Sequence, residues 1–511
     1  MGLLRQWKDK QYYKKVPYTI LNEEMLQHKS DVTIVVPIFN ASESIKHTID
    51  SVLKQTMGLD RMTIILVDDN STDGTQHILE DYANTHTQII SVLLEKNTGT
   101  PAFPRNLGAH LANSTYLFYL DADDWLHPEG IQTLFQLLEK TGDDYAVGKS
   151  IKVVDKGEKV AGKHGSNRTR HNASPYTIKH IFYHLGPTAR MMRLELLRKN
   201  EIRYPEMRFA EDKQFFIDVI LAAGTISTTT SPIYYINRYD SNESLVTKTS
   251  IFEKIDANIS VLKYVLNKHL EPEKEKLIVN RLIEFDAITR LFDRKHFVKS
   301  KQKEIYYKKF HETMKIFAKA KRSYQFEDTI IKPINRIFYQ LAMNKDYQKL
   351  EMLARWSRYS KREATILDDK KPYYIAVLED GSTFHIPINV QAKLKNTQIQ
   401  DSSLTLHVQL YGHIIPKIEG MKLTSRSTVV HSKDLNDQIE QNGDEVKIVL
   451  NQEDLDLHDP GYSVNLIHSD YEQVFIETER KETYSLSLNS KEKAIMYQTV
   501  KGNVGLKIAS L

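Results

Sequence analysis

The chain has 511 residues, 41% hydrophobic and 27% charged, with a formal net charge of +4 and no cysteine. Its length allows about three domains, the small charge gives no argument for nucleic acid, and the lack of cysteine excludes disulfides, thiolate catalysis and cysteine-bound zinc. No apolar run approaches the ~20 residues of a membrane span, and residues 1–30 lack the apolar core of a signal peptide, so the cytoplasm is the expected compartment.

Residues 1–30 read as an arm in which Leu3, Leu4, Trp7, Tyr12 and Tyr13 are mixed with Arg5, Lys8, Lys10, Lys14 and Lys15. Such an arm packs on its own domain or stays solvated; the alternative is peripheral contact with an anionic membrane surface. From Asp31 to Pro37 a β-branched run predicts a strand, and helical spacing follows over Ala41–Gln55. Met62–Val67 repeats the strand, with the polar loop Asp68–Thr75 leading to a helix over Gln76–Tyr82 and Ser71 or Thr72 as its cap. Ile89–Leu94 is a third strand, and a helix is expected from Pro104 to Leu111. The fourth strand, Tyr116–Leu120, is apolar throughout and runs straight into Asp121, Asp123 and Asp124. Strands alternating with helices specify an α/β fold, a mostly parallel doubly wound sheet.

Carboxylates at a strand end suit a hard divalent cation, and in open α/β sheets ligands bind beyond the strands' carboxyl ends. A nucleotide diphosphate bridged by Mg²⁺ or Mn²⁺ is the natural guest, although Asp-x-Asp alone is a weak signal. Four motifs in order carry more weight. Val35-Val-Pro-Ile-Phe-Asn40, Val67-Asp-Asp-Asn-Ser-Thr-Asp-Gly-Thr75, Asn97-x-Gly99 with Pro104-Arg-Asn-x-Gly108, and Asp121-Ala-Asp-Asp124 together resemble the signature of family 2 glycosyltransferases of the GT-A, Rossmann-like fold.

That resemblance implies roles. Pro37, Phe39 and Asp69 would form a slot for uracil, with Asn97 beside it, and Arg105 would reach the diphosphate from a helix start. Asp121 and Ala122 would meet the ribose side, and Asp123 the metal. Further on, Phe209-Ala-Glu-Asp212 matches the motif whose Asp is the family's usual base: Asp212, with Glu211 beside it, would take the acceptor's proton in a displacement that inverts the anomeric carbon. The bland alternative for Glu211 and Asp212 is helix capping. Residues 232–249 match a strand and loop over the diphosphate, with Arg238, Ser241 and Ser244 as candidates; relatives often carry a His where this chain has Asn242.

Between these motifs, Lys156–Ala173 reads as a long basic loop suited to a polyanionic acceptor or simply solvated. From Phe252 the pattern turns helical, with Ile255, Ile259, Leu262 and Leu266 on one face. Beyond about 368, alternation such as Leu404, Leu406, Val408 and Leu410 predicts a β-sandwich of immunoglobulin-like type. The expected division is an arm (1–30), a catalytic domain (31–250), a helical linker (251–368) and a C-terminal β-sandwich (369–511). This order, with Gly186-Pro-Thr188, Tyr204-Pro-Glu206 and Ala210-Glu-Asp212, resembles the wall teichoic acid N-acetylglucosaminyltransferases. The resemblance implies a UDP-sugar donor, a polyol-phosphate polymer as acceptor, and a homo-oligomer, a trimer, assembled through the C-terminal domain. Capsular or exopolysaccharide synthesis and a non-catalytic polymer-binding scaffold are the rival readings.

Overall fold

β-Branched runs become the central strands, as their crowded side chains favour extended backbone and pack well when both faces are covered. In Met62–Asp68 all seven residues are buried. The computed structural model describes residues 12–239, 249–367, 371–400, 402–429, 431–436, 438–455, 457, 459, 461–489 and 491–510. The chain divides into two compact units, Met1–Asp155 with Val160–Tyr264, and Lys156–Lys159 with Val265–Leu511.

In the first unit the strands lie in the order Tyr18–Leu21, Ile89–Leu94, Met62–Asp68, Ser30–Ile38, Ser114–Tyr119, Arg190–Arg193, Tyr145–Val154, Ile226–Asn237 and Trp125–Leu126. Ser30–Ile38 pairs in parallel with Met62–Asp68 on one side and Ser114–Tyr119 on the other. Arg190–Arg193 is antiparallel to both its neighbours. The α/β reading therefore holds, with the polar turns at 39–44, 69–74 and 121–124 all following strands or lying at strand ends where a ligand would dock.

Helix Ala102–Leu111 packs on Ser30–Ile38 through Gly108, where a Cβ would stand 2.4 Å from Val35 Cγ1. The glycine is what lets this helix, which carries Arg105 and Asn106, seat on the sheet. Helix Thr75–Thr85 begins one residue before the expected Gln76, but its cap lies later than expected: Gly74 is the cap residue at φ 88°, and Asp73, not Ser71 or Thr72, accepts from the Thr75 amide at 3.1 Å.

Two expectations need correction. Lys156–Ala173 is not one long loop: it forms strand Gly157–Ala161, the short helix Lys163–Ser166 and strand Arg170–Ala173, which pairs with Ile226–Asn237. Its polar composition hid the buried His164, Gly165 and Ser166. Helix Ile251–Leu266, expected to open a linker, lies largely in the first unit. Its Ile255, Ile259 and Leu262 are buried, Asn258 accepts from Lys213 Nζ at 2.7 Å, and Tyr264 Oη donates to Asp218 at 2.5 Å. It thus backs the helix Glu211–Ala222.

The second unit starts helical, then turns to strands. Asn280–Thr289 is π-helical around the buried Glu284, whose carboxylate accepts from Asn280, Ile331, Lys332 and Asn335 at 2.6 to 3.0 Å. After the three-stranded sheet of Ala364–Leu367, Lys371–Val377 and Thr383–Pro387 comes a β-sandwich. In Ser403–Gly412, Leu404, Leu406, Val408 and Leu410 all point into its core, as the alternation predicts.

Candidate active site

Arg105 joins the two acidic motifs. Its guanidinium donates to Asp121 at 2.8 Å and to Glu211 at 3.1 Å, and lies 5.0 Å from the centre of the Tyr204 ring. Its side chain is 6% exposed, so these charges interact with little screening by solvent. Burial alone would disfavour the guanidinium's charge, but Asp121, Tyr204 and Glu211 hold it firmly charged. Arg105, expected from the resemblance to reach a diphosphate, is here engaged by carboxylates. Two carboxylates claim its terminal nitrogens, and its Nε is buried without a partner.

Tyr204 is the floor beneath Arg105. It stacks on Phe215 at 3.9 Å and meets Tyr119 edge-on at 5.3 Å. Asn106 fixes its backbone from both sides, accepting from Tyr204 N at 2.9 Å and donating to Tyr204 O at 2.8 Å. The helix that carries Arg105 thus also places the ring against which Arg105 packs. The motifs flagged Asn106 and Tyr204 only as part of a signature; their direct pairing spans 98 residues.

Glu211 and Asp212 open helix Glu211–Ala222, preceded by Ala210 at φ 66°. A non-glycine residue in the left-handed region is the kind of local strain that collects at functional sites. Burial, then the charge of Asp212, push Glu211 up to about 7 despite Arg105. Burial also raises Asp212 above the ordinary aspartate range, opposed by Lys213 and Arg105, while Asp121 adds to the rise. Asp121 therefore lies near enough to Asp212 for their charges to be felt, and Arg105 ties Asp121 to Glu211. Gly186 adjoins the same carboxylate, as a Cβ there would lie 3.8 Å from Asp212 Oδ2.

The turn after strand Ser114–Tyr119 is tightly built. Ala122 O accepts from Ser44 Oγ at 2.9 Å and Thr48 Oγ1 at 3.0 Å, and Asp121 N donates to Tyr234 Oη at 3.0 Å. Asp124 is buried and accepts from Asn237 N at 2.7 Å. Burial, with Asp123 and Asp121 nearby, raises it well above the usual carboxylate range. Among the described residues no group of three or more acidic or histidine side chains is gathered to hold a metal ion. Asp123, partly exposed beside Asp121, still fits an ion of the Mg²⁺ or Mn²⁺ type. Such ions take one or two protein carboxylates and complete their shell with water and substrate phosphates.

On the nucleotide side, Pro37 is buried in its strand and Phe39 is 51% exposed. Asp69 is buried, and its carboxylate accepts from Thr98 N at 2.9 Å and Thr98 Oγ1 at 3.0 Å. Burial raises it, the two Thr98 bonds opposing. A carboxylate offers about four lone-pair sites, so capacity for one more donor remains. Asn97 turns inward, donating to Asp69 O at 2.9 Å and accepting from Gly99 N at 2.7 Å. It shapes the loop that holds Asp69. Arg238 is exposed and donates to Asn237 O at 2.6 Å, whereas Ser241, Asn242 and Ser244 lie outside the described residues.

This architecture and site can be set beside known proteins. Residues 33–200 match the model of Glycosyl transferase family 2. The poly(ribitol-phosphate) beta-glucosyltransferase of Bacillus spizizenii is 25% identical over 49% of this chain and 42% of its own. The poly(ribitol-phosphate) beta-N-acetylglucosaminyltransferase TarP of Staphylococcus aureus is 29% identical over 48% of this chain and 75% of its own. The chain thus spans less than half of the first relative's length. The crystal structure of S. aureus TarS shares the fold at a TM-score of 0.56 and 20% identity, covering 94% of this chain and 85% of TarS. Its residues 1–349 in complex with UDP-GlcNAc align at 0.55 and 23% identity, over 69% of this chain and 99% of that one. All four ordered motifs fall within residues 33–200, the stretch that matches the model of Glycosyl transferase family 2.

Proposed function

We propose that this chain transfers a sugar, N-acetylglucosamine, from its UDP donor to a hydroxyl of a polyol-phosphate polymer of the wall teichoic acid type, inverting the anomeric carbon. The observation that carries the reading is the Arg105 bridge, which ties Asp121 to Glu211, the neighbour of Asp212. The relatives' activities, transfer of glucose or N-acetylglucosamine to poly(ribitol phosphate), and the UDP-GlcNAc complex of the TarS neighbour support the donor and acceptor classes.

The residues divide the work by chemistry. Phe39 offers an apolar face and Asp69 an acceptor for a uracil edge. Asp121, held by Arg105, is placed to accept from ribose, and Asp123 would hold Mg²⁺ or Mn²⁺. A divalent ion bound there would neutralise charge on the departing diphosphate. Asp212 takes the proton of the acceptor hydroxyl; its raised affinity for protons makes it a better base than an ordinary aspartate. Arg105 touches no reacting atom in this scheme and acts as a positioning residue. A UDP-sugar donor would put the work in the cytoplasm, and the arm packs on its own domain or stays solvated, with peripheral membrane contact as the alternative. The C-terminal strands would assemble a trimer, which light scattering of the purified chain tests.

To test the function, the chain is incubated with UDP-GlcNAc, UDP-glucose and UDP-galactose, Mn²⁺, and purified poly(ribitol phosphate), poly(glycerol phosphate) or capsular polysaccharide, with product read by mass. Addition of N-acetylhexosamine to the ribitol polymer supports the proposal. Addition to capsular polysaccharide alone, or binding of polymer without turnover of any donor, contradicts it.

A further inference from the structure

Two cations meet where strands Tyr145–Val154 and Ile226–Asn237 run out side by side. Parallel pairing sets Lys152 opposite Ile236, and the Arg238 amide donates to Val153 O at 2.9 Å. Side chains alternate along a strand, so Lys152, Ile236 and Tyr234 share a face. Tyr234 meets the acidic turn at the Asp121 amide, and one residue before Arg238 the Asn237 amide reaches Asp124. The cations therefore adjoin the acidic turn.

Neither has an acidic partner among the described residues. Arg238 donates to the carbonyl of its own neighbour Asn237, and Lys152 makes no ion pair. Two like charges held together repel, and this repulsion is relieved when an anion lies between them. Burial, then the Arg238 guanidinium, lower the proton affinity of the Lys152 amine.

We propose that Lys152 and Arg238 form a phosphate-binding pair at the edge of the cleft, with Lys152 a ligand-binding residue that none of the sequence motifs includes. The ligand chemistry is a phosphate-ester oxyanion, which either the donor's diphosphate or a phosphodiester of the acceptor polymer supplies. The inference rests on the function proposed above, because that function brings both phosphates to this cleft. Arginine forks onto phosphate oxygens while lysine acts as a point charge, so the pair recognises charge and position rather than one ester.

The test uses the full chain with Lys152→Gln and Lys152→Arg. Calorimetry gives the affinities of each for UDP, uridine and purified poly(ribitol phosphate), and steady-state kinetics gives KM for donor and acceptor. Lys152→Gln is expected to bind one phosphate ligand about tenfold more weakly, with uridine unchanged and Lys152→Arg restoring most of the loss. Loss confined to UDP assigns the pair to the diphosphate, and loss confined to the polymer assigns it to the acceptor. Unchanged affinity for both overturns the inference. Wild-type turnover is measured in parallel: its absence counts against the proposed function, whereas a turning-over Lys152→Gln with wild-type affinities counts against this pair alone.

Discussion

The Arg105 guanidinium lies 3.1 Å from the Glu211 carboxylate, which is 106 residues further along the chain. Both side chains are nearly covered, at 6% and 12% exposure. Removing one partner of such a pair leaves a buried charge, at a loss of about 3–5 kcal/mol. Arg105→Ala is therefore expected to lower unfolding free energy by about 3 kcal/mol or more. Adding Glu211→Gln to it should recover part of the loss. Denaturant unfolding of both single variants and the double variant checks this; strictly additive effects would mean that the two residues do not interact.

The same pair predicts how stability follows pH. Glu211 in the folded chain holds its proton up to about 7, against an ordinary 4.5, chiefly because it is buried. Between those values the folded state binds more protons than the unfolded state, so stability falls as pH rises. The contribution is complete below the ordinary value and is lost as pH climbs through the raised one. Thermal melts of wild type and Glu211→Gln from about pH 5 to about pH 8 should show a smaller decline in the variant. An identical decline would remove Glu211 as its source.

Exposure makes Phe39 a clean probe of the nucleotide slot. At 51% exposed it contributes little to the core. Phe39→Ala should raise the KM for the UDP-sugar about three- to tenfold, with kcat and melting temperature little changed. A variant with wild-type KM would move the uracil elsewhere.

Chelation separates a catalytic ion from a structural one. Asp121, Ala122 and Asp124 are held by hydrogen bonds from or to Arg105, Ser44, Thr48, Tyr234 and Asn237. A chelator should abolish turnover and leave the melting temperature unchanged, and added Mn²⁺ or Mg²⁺ should restore activity. Asp123→Asn should need more metal for half-maximal rate. Full activity in chelator would exclude the ion.

The sheet was legible in the sequence because its strands are long apolar runs closed by acidic or glycine-bearing turns, as in Met62–Asp68. The acid clusters were legible for the same reason, since their place at strand ends is local. What joins them was not. Arg105 meets Glu211, and Asn106 meets Tyr204, only after the helix Ala102–Leu111 has seated on Val35, and no local pattern records such pairings. Segment 156–173 misled because short strands that pair at a sheet edge need few apolar residues. Lys152 sits on a strand that the sequence located, but its nearness to Arg238 arises from register alone.

The comparison that bears most directly on the chemistry is the rate of sugar transfer to poly(ribitol phosphate) by Asp212→Asn, with UDP-sugar affinity measured on the same protein. Asparagine keeps the shape and removes the base, so transfer should fall by about a hundredfold or more while donor binding persists. Transfer at the wild-type rate would show that another group accepts the proton, and Asp212 would lose its place in the mechanism.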